Sequence, residues 1–471
     1  MVEKNDLPKN VSNYNKLGGN MKNCYPIKPH YENIADWEFY ASNIMTEYTQ
    51  SIEEGLDIEK YKDIFAAVSE LPKGEIKKKF GDVIYEIVMN AETKEGYPYI
   101  EPSDLDGIKA LRKSYSYEKK TFEDLEDRVH GAWLGRVCGC LLGKTVEGIR
   151  TNELIPFLKE TGNYPMNRYI LKSDLENTDI KKYSYDFRYT CYADECDGMP
   201  SDDDTNYMVL YQEIVNNYGR GFSPYDVSRA WLRYQPKSAY CTAERVAFCN
   251  FVKGYEPPVS AVYKNPYREW IGAQIRGDYF GYINPGKPEL AAEMAWRDAS
   301  VSHTKNGIYG EMFASAMIAA APECDNVRDA ILAGLAEIPH TSRLYSDVMS
   351  VITANDNGAG REEVFSLIHE KYDEYTEHGW CHTIPNAMIV AAALLYGEGD
   401  FRKSACMAVE TGFDTDCNGA TVGSVIGMMK GVGAIPEDFT KPINDTIHTN
   451  IFGLTEVKIS ERVKLTMKHI G

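Results

Sequence analysis

The sequence predicts an all-α protein, on three observations. Apolar residues recur at helical spacing through "ELAAEMAWRDASV", "IYGEMFASAMIAAA" and "IPNAMIVAAALLYG". No run alternating apolar with polar residues is long enough to propose a sheet. Glycines stand four apart in two stretches, Gly131, Gly135, Gly139, Gly143 and Gly419, Gly423, Gly427, Gly431, the spacing of one row along a helix.

At 471 residues the chain can bury a large core. Its opening, "MVEKNDLPKNVSNYNKLGGN", lacks the basic and apolar regions of a secretory signal, and no apolar run reaches the length of a membrane span. A cytoplasmic protein without a membrane partner is expected. Eleven cysteines with no regular framework fit reduced thiols. A net charge of −19 with no basic patch excludes nucleic acid as a partner and names none in its place.

In chain order, residues 1–121 predict an extra helical region, in which "DWEFYASNIMTEYTQSIEEG" ends at Gly55 and "YPYIEPSDLDG" breaks the pattern. This extension is either a small separate domain or a layer on the main body, residues 122–471. The first glycine row follows in "GAWLGRVCGCLLGKTVEG", whose next member is Glu147. Four glycines inside a helix cost about 4 kcal/mol relative to alanine, so a close helix approach must offset them. Cys138 and Cys140 read as packing residues, because no second Cys or His pair stands nearby. Residues 160–200 are Tyr-rich with little periodicity and predict an irregular excursion that borders a site or covers a core edge.

Three acidic groups stand at helix ends: Glu147, the run Asp202, Asp203, Asp204, and the pair Asp414, Asp416. The last opens "FDTDCNGATVGSVIGMMKG", which begins like a calcium loop, but an EF-hand needs Glu at its twelfth position and Val425 stands there. One acid before a helix is an ordinary cap, and three in succession exceed what a cap can use. If the two glycine helices pack antiparallel, the groups converge, and an all-oxygen set points to a hard ion such as Mg²⁺, Mn²⁺ or Ca²⁺. Otherwise each group caps its own helix and they never meet.

These residues resemble the ADP-ribosylglycohydrolase family, which includes dinitrogenase-reductase-activating glycohydrolases and J1 crystallins. The resemblance covers roughly residues 122–455 through "KTVEG", "DDDT", "RDASVSHTKNGIYGEMFASAMIAAA" and "GFDTDCNGATVGSVIGMMKG", in the family's order. It implies an orthogonal helical bundle that hydrolyses the bond at the anomeric carbon of ADP-ribosylated side chains. It also implies two Mg²⁺, with Mn²⁺ as the alternative, held by Asp202, Asp203 and Asp204 from one side and by Asp414, Asp416 and Cys417 from the other. Glu147, with Asp203, would be catalytic. Asp202 and Cys417 each replace a threonine of the family pattern, and Cys140 replaces an aspartate. A thiol is a poor ligand for a hard ion.

For the substrate, the resemblance favours a ligand contact from His303. "IGAQIRGDYFGYINPG" has the content of a nucleotide-lining loop, with Arg276, Gly277 and Asp278 as candidates, or of a plain turn. Tyr309 is a candidate to stack on adenine. The expected partner is an ADP-ribosylated protein. A small N-glycoside or nucleoside-like metabolite is the alternative, and a non-catalytic crystallin-like protein is a third reading, which the repelling carboxylates oppose.

Overall fold

The structure, a computed structural model, describes residues 29–176, 178–188 and 190–471. The first 28 residues of the predicted extension, the stretch read for a signal among them, lie outside the described residues, as do two positions of the Tyr-rich segment.

The chain is all-α. Helices run from Ile44–Glu53 to Ile459–His469, and the one sheet among the described residues pairs Thr446–His448 antiparallel with Glu456–Lys458. Three residues a strand are too few for alternation to show in sequence.

At the centre lie the two glycine helices, Leu125–Lys144 and Thr415–Lys430, packed antiparallel with their rows face to face. A Cβ on Gly135 would strike the backbone of Gly423, one on Gly139 that of Gly419, and one on Gly143 that of Thr415 and Asp416. The backbones therefore touch along the seam, and this contact offsets the conformational cost of the glycines. Only the antiparallel sense places the C-terminal end of the first helix, and Glu147 just beyond it, beside the N-terminal end of the second.

Arg136, on the first glycine helix and fully buried, donates through Nε to the Asp204 carbonyl (3.0 Å) and through Nη2 to Asp204 Oδ1 (2.9 Å). It fixes the start of the helix Asp203–Tyr218 against the seam. The acids at positions 202–204 are thereby brought to the same end as Asp414 and Asp416.

The extension carries its own small core, in which Tyr40, Ile44, Ile58, Phe65, Val68, Ile84 and Val88 pack together. It meets the main body through buried ion pairs. Arg268 holds Glu47 (2.8 Å) and Glu54 (2.6 Å), Lys305 holds Glu54 (2.7 Å), and Arg343 bridges Glu101 and Glu269 at 2.8 Å each. Among its described residues the Tyr-rich stretch has short 3₁₀ turns, at Lys172–Leu175 and Ile180–Lys182, and it folds over the end of the first glycine helix. There Thr145 Oγ1 donates to the Cys191 carbonyl (2.9 Å) and Tyr185 OH to the Thr145 carbonyl (2.9 Å).

Candidate functional site

Each acid reaches the site through a helix end. Glu147 sits in the turn after Lys144, and Gly148, at φ +84°, takes the chain away in a conformation that costs glycine little. Asp202 is the N-cap of Asp203–Tyr218: its Oδ1 accepts the Asp204 N–H (2.9 Å) and the Cys140 thiol (3.3 Å), and its Oδ2 accepts Lys144 Nζ (2.5 Å). Asp414 stands at the N-cap position of Thr415–Lys430 without capping it, and its own N–H donates to Asn386 Oδ1 (3.2 Å). Thr415 Oγ1 donates to the Gly143 carbonyl (2.9 Å), which locks the two helix ends together.

The carboxylates converge. Glu147, Asp202 and Asp416 bring ligand atoms within 4.8 Å of one another, and so do Asp204, Asp416 and Cys417, and Cys140, Asp202 and Asp204. Asp204 Oδ2 and Asp416 Oδ1 are buried with no protein partner. Two helix N-termini favour negative charge here, yet not enough to hold so many acids ionised. Burial, followed by Asp202, pushes Asp203 up to about 7 and raises Asp416. Asp204 and Asp414 are pushed well above the carboxylate range, by burial first; Arg136 works against this at Asp204, and Asp416 adds to it at Asp414. For Glu147 the leading cause is the Asp416 charge, then burial, and its carboxyl too lies well up. The side chain nonetheless keeps 43% of its surface open. It faces a cavity of ≈ 550 Å³ that Lys144, Tyr185, Asp186, Thr190 and Cys191 also line.

The set fits a hard divalent cation. Partnerless buried oxygens on Asp204 and Asp416 are the atoms such an ion would satisfy, and its charge would reverse the upward shifts. Cys417 lies within reach, and while no ion is bound burial pushes its thiol well up, as it does the neighbouring acids. A second cluster, Glu53, His378 and His382, also has ligand atoms within 4.8 Å. Here Trp270 Nε1 donates to His378 Nδ1 (3.1 Å) and the Ile384 N–H to His382 Nδ1 (3.2 Å), which leaves each neutral ring its proton on Nε2. His378 Nε2 donates it to Glu53 (3.0 Å), and His382 Nε2 lies 3.5 Å from Glu269. Nitrogens that carry protons do not ligate, so this cluster is structural.

The five expected substrate contacts are enclosed in protein, and none lines this cavity. Arg276 is fully buried, paired with Glu244 (2.8 Å), Asp298 and Ser302 Oγ (2.9 Å), and lies 4.9 Å over the Trp231 ring. Gly277 is pressed against Ser315 and Glu311, and Asp278 is buried on Arg136 and Ser424. Tyr309 is enclosed, its hydroxyl donating to the Pro102 carbonyl (2.5 Å). His303 is buried against Ser302 Oγ (2.8 Å) and kept neutral by burial and then by Arg276. An Arg, Gly and aromatic composition marks a packed turn as readily as a nucleotide loop, and the acids that claim Arg276 lie far away in sequence. Two site residues escaped the sequence reading. Lys144 stands within "KTVEG", and Asn386, the acceptor for Asp414 and for Asn418 Nδ2 (2.8 Å), is a polar residue in a mostly apolar helix.

The ADP-ribosylglycohydrolase family profile matches residues 121–466. Among solved structures, one described as an ADP-ribosylglycohydrolase-related protein complex is similar at 19% identity, covering 74% of this chain and 98% of that one, with a TM-score of 0.43. No curated protein matches the chain. The chain belongs to the ADP-ribosylglycohydrolase family, and its chemistry is that of this hydrolase type.

Proposed function

We propose, from that family membership, a divalent-cation-dependent hydrolase that cleaves the ribosyl bond of ADP-ribosylated protein side chains and releases ADP-ribose. The convergence of Glu147, which lines the cavity, with the buried Asp202 and Asp416 carries this reading. Residues 122–471 supply the chemistry, and the described part of the 1–121 extension, residues 29–121, braces the main body from outside.

In ribosyl hydrolysis positive charge develops at the anomeric carbon as the bond to the leaving group breaks. Buried carboxylates beside that carbon stabilise the charge. Glu147, open to the cavity, takes a proton from the attacking water, so that a carbon–oxygen bond forms as the bond to the side chain breaks and its electron pair leaves with the side chain. A divalent ion bound among the acids supplies charge neutralisation and a hold for ribose hydroxyls. Tyr185, Thr190 and Cys191 line the same cavity beside Glu147.

The test is incubation with Mg²⁺ or Mn²⁺ and proteins carrying arginine- or serine-linked ADP-ribose, beside a panel of nucleosides, with EDTA as control. Metal-dependent release of ADP-ribose is expected. Cleavage of a nucleoside with no release from either conjugate would move the substrate to a small ribosyl metabolite, and turnover of nothing would reject the enzyme.

A further inference from the structure

The family resemblance implies two ions, with Asp202 among their ligands. Around Asp202 the arrangement is different. Both of its oxygens have protein donors: Oδ1 has the Asp204 N–H and the Cys140 thiol, and Oδ2 has Lys144 Nζ at 2.5 Å. The Lys144 ammonium is also 3.9 Å from Glu147 Oε2. It thus stands among the group Glu147, Asp202 and Asp416, whose ligand atoms lie within 4.8 Å of one another and which a second ion would need to enter. An ammonium and a divalent ion repel at contact distance, so the two do not share the position. The other group is open. Asp204 Oδ2 and Asp416 Oδ1, on residues 0% and 2% exposed, have no protein partner, while Arg136 takes only the opposite oxygen of Asp204.

We infer that this centre binds one divalent ion, between Asp204 and Asp416, and that the Lys144 ammonium, seated on Asp202, supplies the second positive charge. The threonine-to-aspartate departure at position 202 then has a physical reason. A neutral hydroxyl can ligate an ion but offers an ammonium no opposite charge, whereas a carboxylate holds Lys144 with a charge-assisted bond. Lys144 is a positioning residue: it balances Asp202 and draws Glu147 towards the cluster. The inference rests on reading these acids as the metal centre of the proposed hydrolase, but ion counting needs no substrate, so failure of either idea shows separately.

The experiment uses the full chain, stripped with EDTA and titrated with Mn²⁺. Bound ions are counted by elemental analysis after gel filtration, and electron paramagnetic resonance distinguishes an isolated ion from a spin-coupled pair. One isolated ion per chain is expected for the wild type, two coupled ions for Lys144→Met, and at least a tenfold loss of affinity for Asp416→Asn. Lys144→Arg, which keeps the charge, should stay at one, and it carries the test if Lys144→Met does not fold. Two ions or none in the wild type, two in Lys144→Arg, or one in a folded Lys144→Met would overturn the inference.

Discussion

Where the extension meets the main body, Glu47 and Glu54 lie on Arg268, and Glu269 lies on Arg343. At the ends of the glycine helices, Asp204 and Asp416 each keep a buried oxygen without a partner. Burial acts on both sets in the same sense, raising a carboxyl's pKa, yet the outcomes are opposite. Arg268 and then Lys305 overcome burial at Glu54 and bring it below the ordinary range, and Arg343, then His382, bring Glu269 well below it. At Asp204 and Asp414 burial prevails, helped by neighbouring acids. A buried acid with its cation in the chain is structural. A buried carboxylate oxygen that the chain leaves without a partner, as on Asp416 and on the side of Asp204 away from Arg136, offers a place for a cation from solution.

The largest expected effect is on turnover. Glu147→Gln should keep fold and metal content while lowering kcat by about 10³-fold, within the range for a lost general base; near-normal release of ADP-ribose would exclude the role given to Glu147. On the structural side, Arg268→Met leaves the buried Glu47 without a cation and Glu54 with Lys305 alone, and should cost about 3–5 kcal/mol in a denaturant melt. A loss below about 1 kcal/mol would mean that water reaches the seam.

A smaller effect with the opposite sign sharpens the contrast. Asp416→Asn removes a repelling charge, so the metal-free protein should gain about 1 kcal/mol at pH 7.5 while the rise in Tm on adding Mg²⁺ disappears. Glu54→Gln, its counterpart on the seam, should destabilise with or without metal. Equal signs for the two variants would end the distinction between the clusters.

The pH dependence is the subtlest test. Glu54 and Glu269 have depressed folded values, so their stabilisation is present above the ordinary glutamate pKa and is lost as pH falls through the folded values. Asp203 is raised to about 7, so its contribution is present below the ordinary aspartate pKa and is lost as pH rises towards 7. Melts in EDTA should therefore weaken at the acid end through the seam and soften again towards pH 7 through the site. Mg²⁺ should restore only the second loss.

Much of this was legible in the sequence, and particular residues show why. Glycines four apart have one reading, because only a near-touching backbone explains so many in one helix, and Glu147, Asp202–Asp204, Asp414 and Asp416 stand at helix ends that the same rows locate. Arg276, Asp278 and Tyr309 turn out to be enclosed in protein, and the sequence could not show this because a buried ion pair and a ligand contact use the same residue types. Nothing local distinguishes them: Arg276 is claimed by Glu244 and Asp298, and Asp278 by Arg136, each many residues away.

The sequence by itself determined the helical class, the glycine seam and the acids destined for the site, because periodicity and helix-end chemistry are properties of neighbouring residues. Only the tertiary structure decided which acids obtain a cation from the chain. Lys144 on Asp202, Arg136 on Asp204 and Arg268 on Glu47 and Glu54 are pairings across long stretches of sequence. Charge balance is a sum over whatever lies within a few ångströms, and distance in space is the one quantity that the order of residues does not contain.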